Sequence, residues 1–149
     1  MSGLKHSPVF TEHQREIKAL RKDVSTARSI IADGLLRYKK KMLHARSKKQ
    51  TEDMSMFAEL DGYESKQQIH DAYGWNYISM TQMDRLNDLW DTREQVVANQ
   101  GRFNDRVTQI LERAMDNCGD LFADDFEDFD ALVRQDNDLR AQLQREARR

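Results

Sequence analysis

One proline, at position 8, and six glycines are the only strong helix breakers in 149 residues. The chain is otherwise rich in good helix formers, so the backbone is free to run in long helices. Apolar or small residues recur at Ile17, Leu20, Val24, Ala27, Ile31, Gly34, Tyr38 and Met42, with Ile30 and Leu35 alongside. Alternating steps of three and four mark a coiled-coil-like seam along one helix face. Thr11-Glu12-His13-Gln14 has the capping-box pattern that opens a helix. These signals predict a long helix over 12–46 behind a loose leader at 1–10. The seam suits packing within the chain or between two copies, and small Ala27 and Gly34 would admit a partner helix closely.

Further on, Ser65-Lys66-Gln67-Gln68 and Ser79-Met80-Thr81-Gln82 repeat the capping-box pattern. The first predicts a short helix that stops at Gly74. The second predicts a long helix to about Asn117, bent near Gly101 and closed by Gly119, with Ile78 and Met83 placed to staple its entry. The expected architecture is all-α: one domain over 1–149, a long-helix bundle with a short central helical hairpin. Its two long helices would lie antiparallel, with a last helix closing the bundle or extending as an arm.

At 34% charged, the chain exceeds the roughly one quarter usual for compact domains. The charge is also split. Residues 1–50 hold thirteen Lys/Arg against four Asp/Glu, and residues 51–149 hold eleven against twenty-two. The positive pole is concentrated in Arg37, Lys39, Lys40, Lys41, Arg46, Lys48 and Lys49, read as the end of the first helix. More cations gather there than the helix macrodipole requires, so they are candidates for nucleic acid or an acidic protein surface. The negative pole is Asp120–Asp130. There Asp124, Asp125, Glu127, Asp128 and Asp130 surround a Phe122, Phe126, Phe129 stripe and are candidates for imitating phosphates toward a basic groove. Both poles also fit the plain reading of solvated faces that neutralise one another.

The Ile69–Gly74 segment and the helix after it have helix–turn–helix spacing. Against DNA binding, that second helix presents Asp84, Asp88 and Asp91 beside Gln82, Arg85 and Asn87, and its acids oppose a phosphate backbone. A packed hairpin is expected instead, with Tyr73, Trp75, Tyr77 and Trp90 in its core. If Trp75 or Tyr77 were exposed, each would be an aromatic anchor for a protein partner.

Ile69–Ser79, Asp84-Arg85-Leu86 and Leu89-Trp90-Asp91 together resemble small accessory proteins of phages and mobile elements of Gram-positive bacteria. Those proteins have an Ala-Tyr-Gly turn, then an Ile-Ser/Thr cap and a Leu/Trp-bearing helix. The resemblance implies a habitat of short non-enzymatic binding proteins, including regulators and anti-CRISPR-like inhibitors of host defence nucleases.

His6, His13, His44 and His70 are scattered, without metal-ligand spacing, and no phosphate-binding loop or nucleophile setting is present. Neither an enzyme nor a cofactor is expected. The lone Cys118 fits a reducing compartment, and no apolar run reaches the roughly 20 residues of a membrane span. Together these predict a cytoplasmic, non-enzymatic binding protein. Its partner would be macromolecular (a nucleoprotein or nuclease, or nucleic acid itself), and a homodimer through the seam is the further alternative.

Overall fold

A computed structural model describes residues 8–116 and 123–149, with side chains from Thr11 to Asp116 and from Glu127 onward. Four α-helices cover almost all of these: α1 (Pro8–Met54), α2 (Lys66–Gly74), α3 (Met80–Asp116) and α4 (Ala123–Ala147). A 3-10 turn at Ser55–Leu60 joins α1 to the hairpin, and no strand occurs among the described residues.

Helix α1 is longer than its caps predict. Pro8 suits a first turn, where its missing N–H would be unbonded anyway, so the helix begins before Thr11 and the expected leader is already helical from residue 8. At the other end nothing interrupts the chain after Arg46, and the helix continues as far as Met54. The basic run therefore lies inside the helix. Its charge does not serve to cap the carbonyl end.

Three helices form the bundle. Gln50 Nε2 donates to the Val96 carbonyl at 3.4 Å, and the Arg46 guanidinium lies 5.7 Å from the Phe103 ring centre, so α1 and α3 run antiparallel. Helix α4 returns along α1, with Tyr38 edge-on to Phe129 at 5.4 Å and Lys49 Nζ donating to Asn137 Oδ1 at 3.2 Å. The last helix closes the bundle. Helix α3 passes through Gly101 without a break. The proposed stop at Gly119 and the side chains of Phe122 and Phe126 lie outside the described residues.

The apolar core is in two parts. One gathers Phe57, Leu60, Ile69, Met83, Leu89 and Leu143 at the hairpin end. The other gathers Leu35, Phe103, Val107, Ile110, Ala114 and Phe129 at the far end. A polar layer lies between them. Arg46 is 2% exposed, and its Nε is 2.9 Å from Asp136 Oδ2. Its Nη1 donates to Gln50 Oε1 at 3.1 Å, and Asn99 Nδ2 donates to Asp136 Oδ1 at 2.9 Å. One turn on, Arg140 grips buried Asp53 with two bonds of 2.7 and 2.9 Å, and Gln144 adds a third at 2.9 Å.

The layer sets two expectations. Asp136→Ala leaves the Arg46 charge buried without its carboxylate and should cost about 3–5 kcal/mol in urea unfolding, whereas Arg46→Met with Asp136→Leu should recover most of that. Burial would raise the Asp53 carboxyl, but the Arg140 and Gln144 hydrogen bonds and the Arg140 and Arg46 charges outweigh it and hold it below its ordinary value. A depressed folded value means the pairing stabilises fully above the unfolded carboxylate pKa and is lost as pH falls through the folded one. Urea midpoints compared at about pH 6 and about pH 3 should therefore fall less in Asp53→Asn than in the wild type.

Candidate functional site

The face of α1 that meets α3 and α4 carries Leu35, Tyr38, Met42, Arg46 and Gln50. The opposite face carries Arg37, Lys41, His44 and Lys48 at i, i+4, i+7 and i+11, with Lys40 beside them, all exposed. Helical rise makes this row about 16 Å long. None of its lysines or its arginine forms an ion pair among the described residues, so their charge is directed at solvent. The other candidates differ. Lys39 is half-buried along a shallow groove with Leu36 and Leu111. Lys49 is half-buried and bonded to Asn137. Arg46, against the expectation, is a core residue beside Asp136, and its guanidinium is not on the surface that a nucleic acid could reach.

The acidic candidates do not form one exposed ridge. Glu127 and Asp130 are exposed, but Asp128 is half-buried and held by Arg113 at 2.6 Å. The side chains of Asp124 and Asp125 lie outside the described residues. Because Tyr38 and Phe129 meet inside the bundle, the acidic start of α4 stands level with the start of the cationic row. The row is turned away from α4, and no ion pair joins the two poles among the described residues. Helices α1 and α4 do exchange charges deeper down, and there Asp53 and Arg140 reverse the expected signs.

The third candidate surface is the turn between α2 and α3. Tyr77 N–H donates to the Ala72 carbonyl at 2.9 Å and Asn76 N–H to Tyr73 at 3.0 Å, with Asn76 at φ +64°. This is a Schellman ending with asparagine in the left-handed position, so α2 ends through Asn76 and not through Gly74, which is still helical. Ser79 and Gln82 then cap α3 reciprocally, at 3.1 and 2.8 Å, and Ile78 packs on the cluster holding Met83. The two caps fix the backbone of this turn. Trp75 and Tyr77 are 73% and 77% exposed, and Tyr73 is also exposed, which overturns their assignment to the core. Helix α2 buries only Ile69, so its far end stands off the bundle. Trp75 and Tyr77 border a depression of about 370 Å³ that reaches Tyr63, Ala72 and Asp71. Trp90 is half-buried, bonded to Glu94 at 3.0 Å and stacked under Arg93 at 4.2 Å.

Arg85 is held bidentately by Glu59 at 2.8 and 3.0 Å, and Asp91 pairs with Lys66. Among the described residues no three His, Cys, Asp or Glu side chains converge on a metal-sized site, and no helix is long and apolar enough to cross a membrane. No family model matches the chain, and neither a curated protein nor a solved structure is significantly similar to it.

The burial of Arg46 had a readable signal. It continues the register of Tyr38 and Met42, just as Asp136 sits seven residues from both Phe129 and Leu143, and Asn99 falls between Val96 and Phe103. Polar residues in core register require partners, and here they find one another.

If the aromatic turn is a surface and not a core, Trp75→Ala and Tyr77→Ala should each shift unfolding stability by less than about 0.5 kcal/mol. Asn76→Val, which forces a branched residue into the left-handed region, should cost about 1–2 kcal/mol, and Asn76→Gly should be near neutral. Thermal unfolding of the four variants checks all of this.

Proposed function

We propose that this chain is a non-enzymatic binding protein whose target is a nucleoprotein, acting in the cytoplasm as an anti-CRISPR-like inhibitor of a host nucleic-acid-targeting defence system. The observation that carries this reading is the row Arg37, Lys40, Lys41 and Lys48 on the outer face of a rigid helix, unneutralised among the described residues. A row of fixed cations attracts phosphates and releases their counterions. The exposed Trp75 and Tyr77, on a braced turn, add the amphipathic anchors that protein interfaces favour. Glu127 and Asp130 are exposed and stay available as phosphate-like groups toward a basic groove, while Asp128 is paired with Arg113.

The second reading is a regulator that binds DNA or RNA alone, and the same cationic row favours it. Fluorescence anisotropy separates the two. A regulator binds free duplex or single-stranded nucleic acid, and with about four phosphates engaged its log affinity falls against log salt with a slope near −3 to −4. A nucleoprotein ligand binds free nucleic acid weakly but captures an assembled nuclease–guide complex, and does so less well after Trp75→Ala with Tyr77→Ala. In either case, replacing Lys40, Lys41 and Lys48 together by Gln should lower affinity at least about tenfold, at about 0.4–1 kcal/mol per exposed charge. If binding to both targets survives that triple change, the cationic row is not the site and the proposal fails.

A further inference from the structure

Among the described residues the bundle covers only part of α1. Helix α3 ends at Asp116 near the level of Ala32, and α4 begins at Ala123, so the first part of α1 extends past them. On that overhang Ile17, Leu20 and Val24 are 49%, 63% and 53% exposed, on the same face that becomes core from Leu35 onward. The interior seam of the bundle thus continues into solvent.

What would cover it is written in the flanking charges. With Ile17, Val24 and Ile31 at the a positions, Leu20 and Ala27 fall at d. Glu16 and Asp23 then fall at g, and Arg21 and Arg28 at e. Branched residues at a with leucine at d is the pattern of parallel two-stranded pairing. In that arrangement each g residue meets the e residue five positions on in the other strand, which sets Glu16 against Arg21 and Asp23 against Arg28. Antiparallel pairing would oppose arginine to arginine and acid to acid. Within the helix, Asp23 has no cation, and Arg21 and Arg28 no acid, three or four residues away, and none of the three forms an ion pair among the described residues. The same segment of a second molecule, laid parallel, would supply their complements. Ile31 already packs on the bundle's own core, so the pairing is confined to the stretch from Ile17 to Ala27.

We propose that the overhang of α1 is a homodimerisation arm, on which a second copy of this chain lies parallel through Ile17, Leu20 and Val24. The inference is independent of the nucleoprotein reading. It would leave the two cationic rows facing outward, on opposite sides of the pair.

Sedimentation velocity on the full chain tests it. The wild type should dimerise at micromolar concentration. Leu20→Asp with Val24→Asp should weaken that more than about 100-fold, since each copy loses two buried aliphatic side chains. Glu16→Arg with Asp23→Arg, and separately Arg21→Glu with Arg28→Glu, should each be monomeric alone and form a heterodimer when mixed. Circular dichroism melts should show the bundle intact in every variant, because these side chains are exposed. A wild type that stays monomeric at high micromolar concentration overturns the proposal. So does a dimer indifferent to the Leu20 and Val24 changes, or one in which the charge variants self-associate like wild type.

Discussion

The buried contact between Arg46 and Asp136 determines how the three long helices are arranged. Each charge lies where a packed bundle would otherwise place an aliphatic residue, and each would be costly to leave alone there. Arg46 comes from α1, Asp136 from α4, and α3 completes the layer with Asn99 and the Val96 carbonyl. If any of the three helices slid by one turn, a guanidinium or a carboxylate would enter an apolar cluster. Only this register brings both Arg46 and Asn99 to Asp136, so the layer acts against misalignment even where its net contribution to stability is small. The Asp53–Arg140–Gln144 set, one turn nearer the hairpin, repeats the same constraint.

That register decides what remains outside. With Tyr38, Met42, Arg46 and Gln50 turned inward, Arg37, Lys41, His44 and Lys48 must face water, and their row becomes a surface feature. With α4 aligned to α1 by Phe129 and Asp136, its acidic start is level with the row but on another side of the molecule. Among the described residues no ion pair joins the two poles. The same alignment ends α3 and α4 short of the start of α1, leaving an apolar stripe exposed whose charged flanks match those of its own copy. The aromatic turn stands apart from this geometry, since two local capping motifs place Trp75 and Tyr77 on their own.

Much of this was legible in the chain. The scarcity of breakers and the three-and-four spacing pointed to long helices. Ser79 and Gln82 form the reciprocal cap their pattern implies, and Ser65 caps α2 at 3.3 Å, although Gln68 turns to the Glu64 amide instead of closing the box. The structure departs from the sequence pattern where local signals compete. Thr11 looked like a cap, but Pro8 starts a helix equally well, so α1 begins earlier. Gly74 looked like a stop, but asparagine tolerates the left-handed conformation, and Asn76 takes that role two residues on. Trp75 and Tyr77 were expected inside because aromatic residues usually are, yet Ile69 is all that α2 buries.

By itself the sequence determined helix content, approximate helix ends and the existence of two opposite charge concentrations. These depend on neighbours within a few residues: capping hydrogen bonds, backbone propensity and periodicity along one helix. Only the tertiary structure decided which charges are free. Arg46 and Lys48 are two residues apart and chemically alike in sequence, yet one is locked to Asp136 ninety positions away and the other faces solvent. The difference arises from a buried partner on another helix. Whether a charge can meet a ligand depends on which face it occupies and on what already neutralises it, and both are properties of the packed bundle.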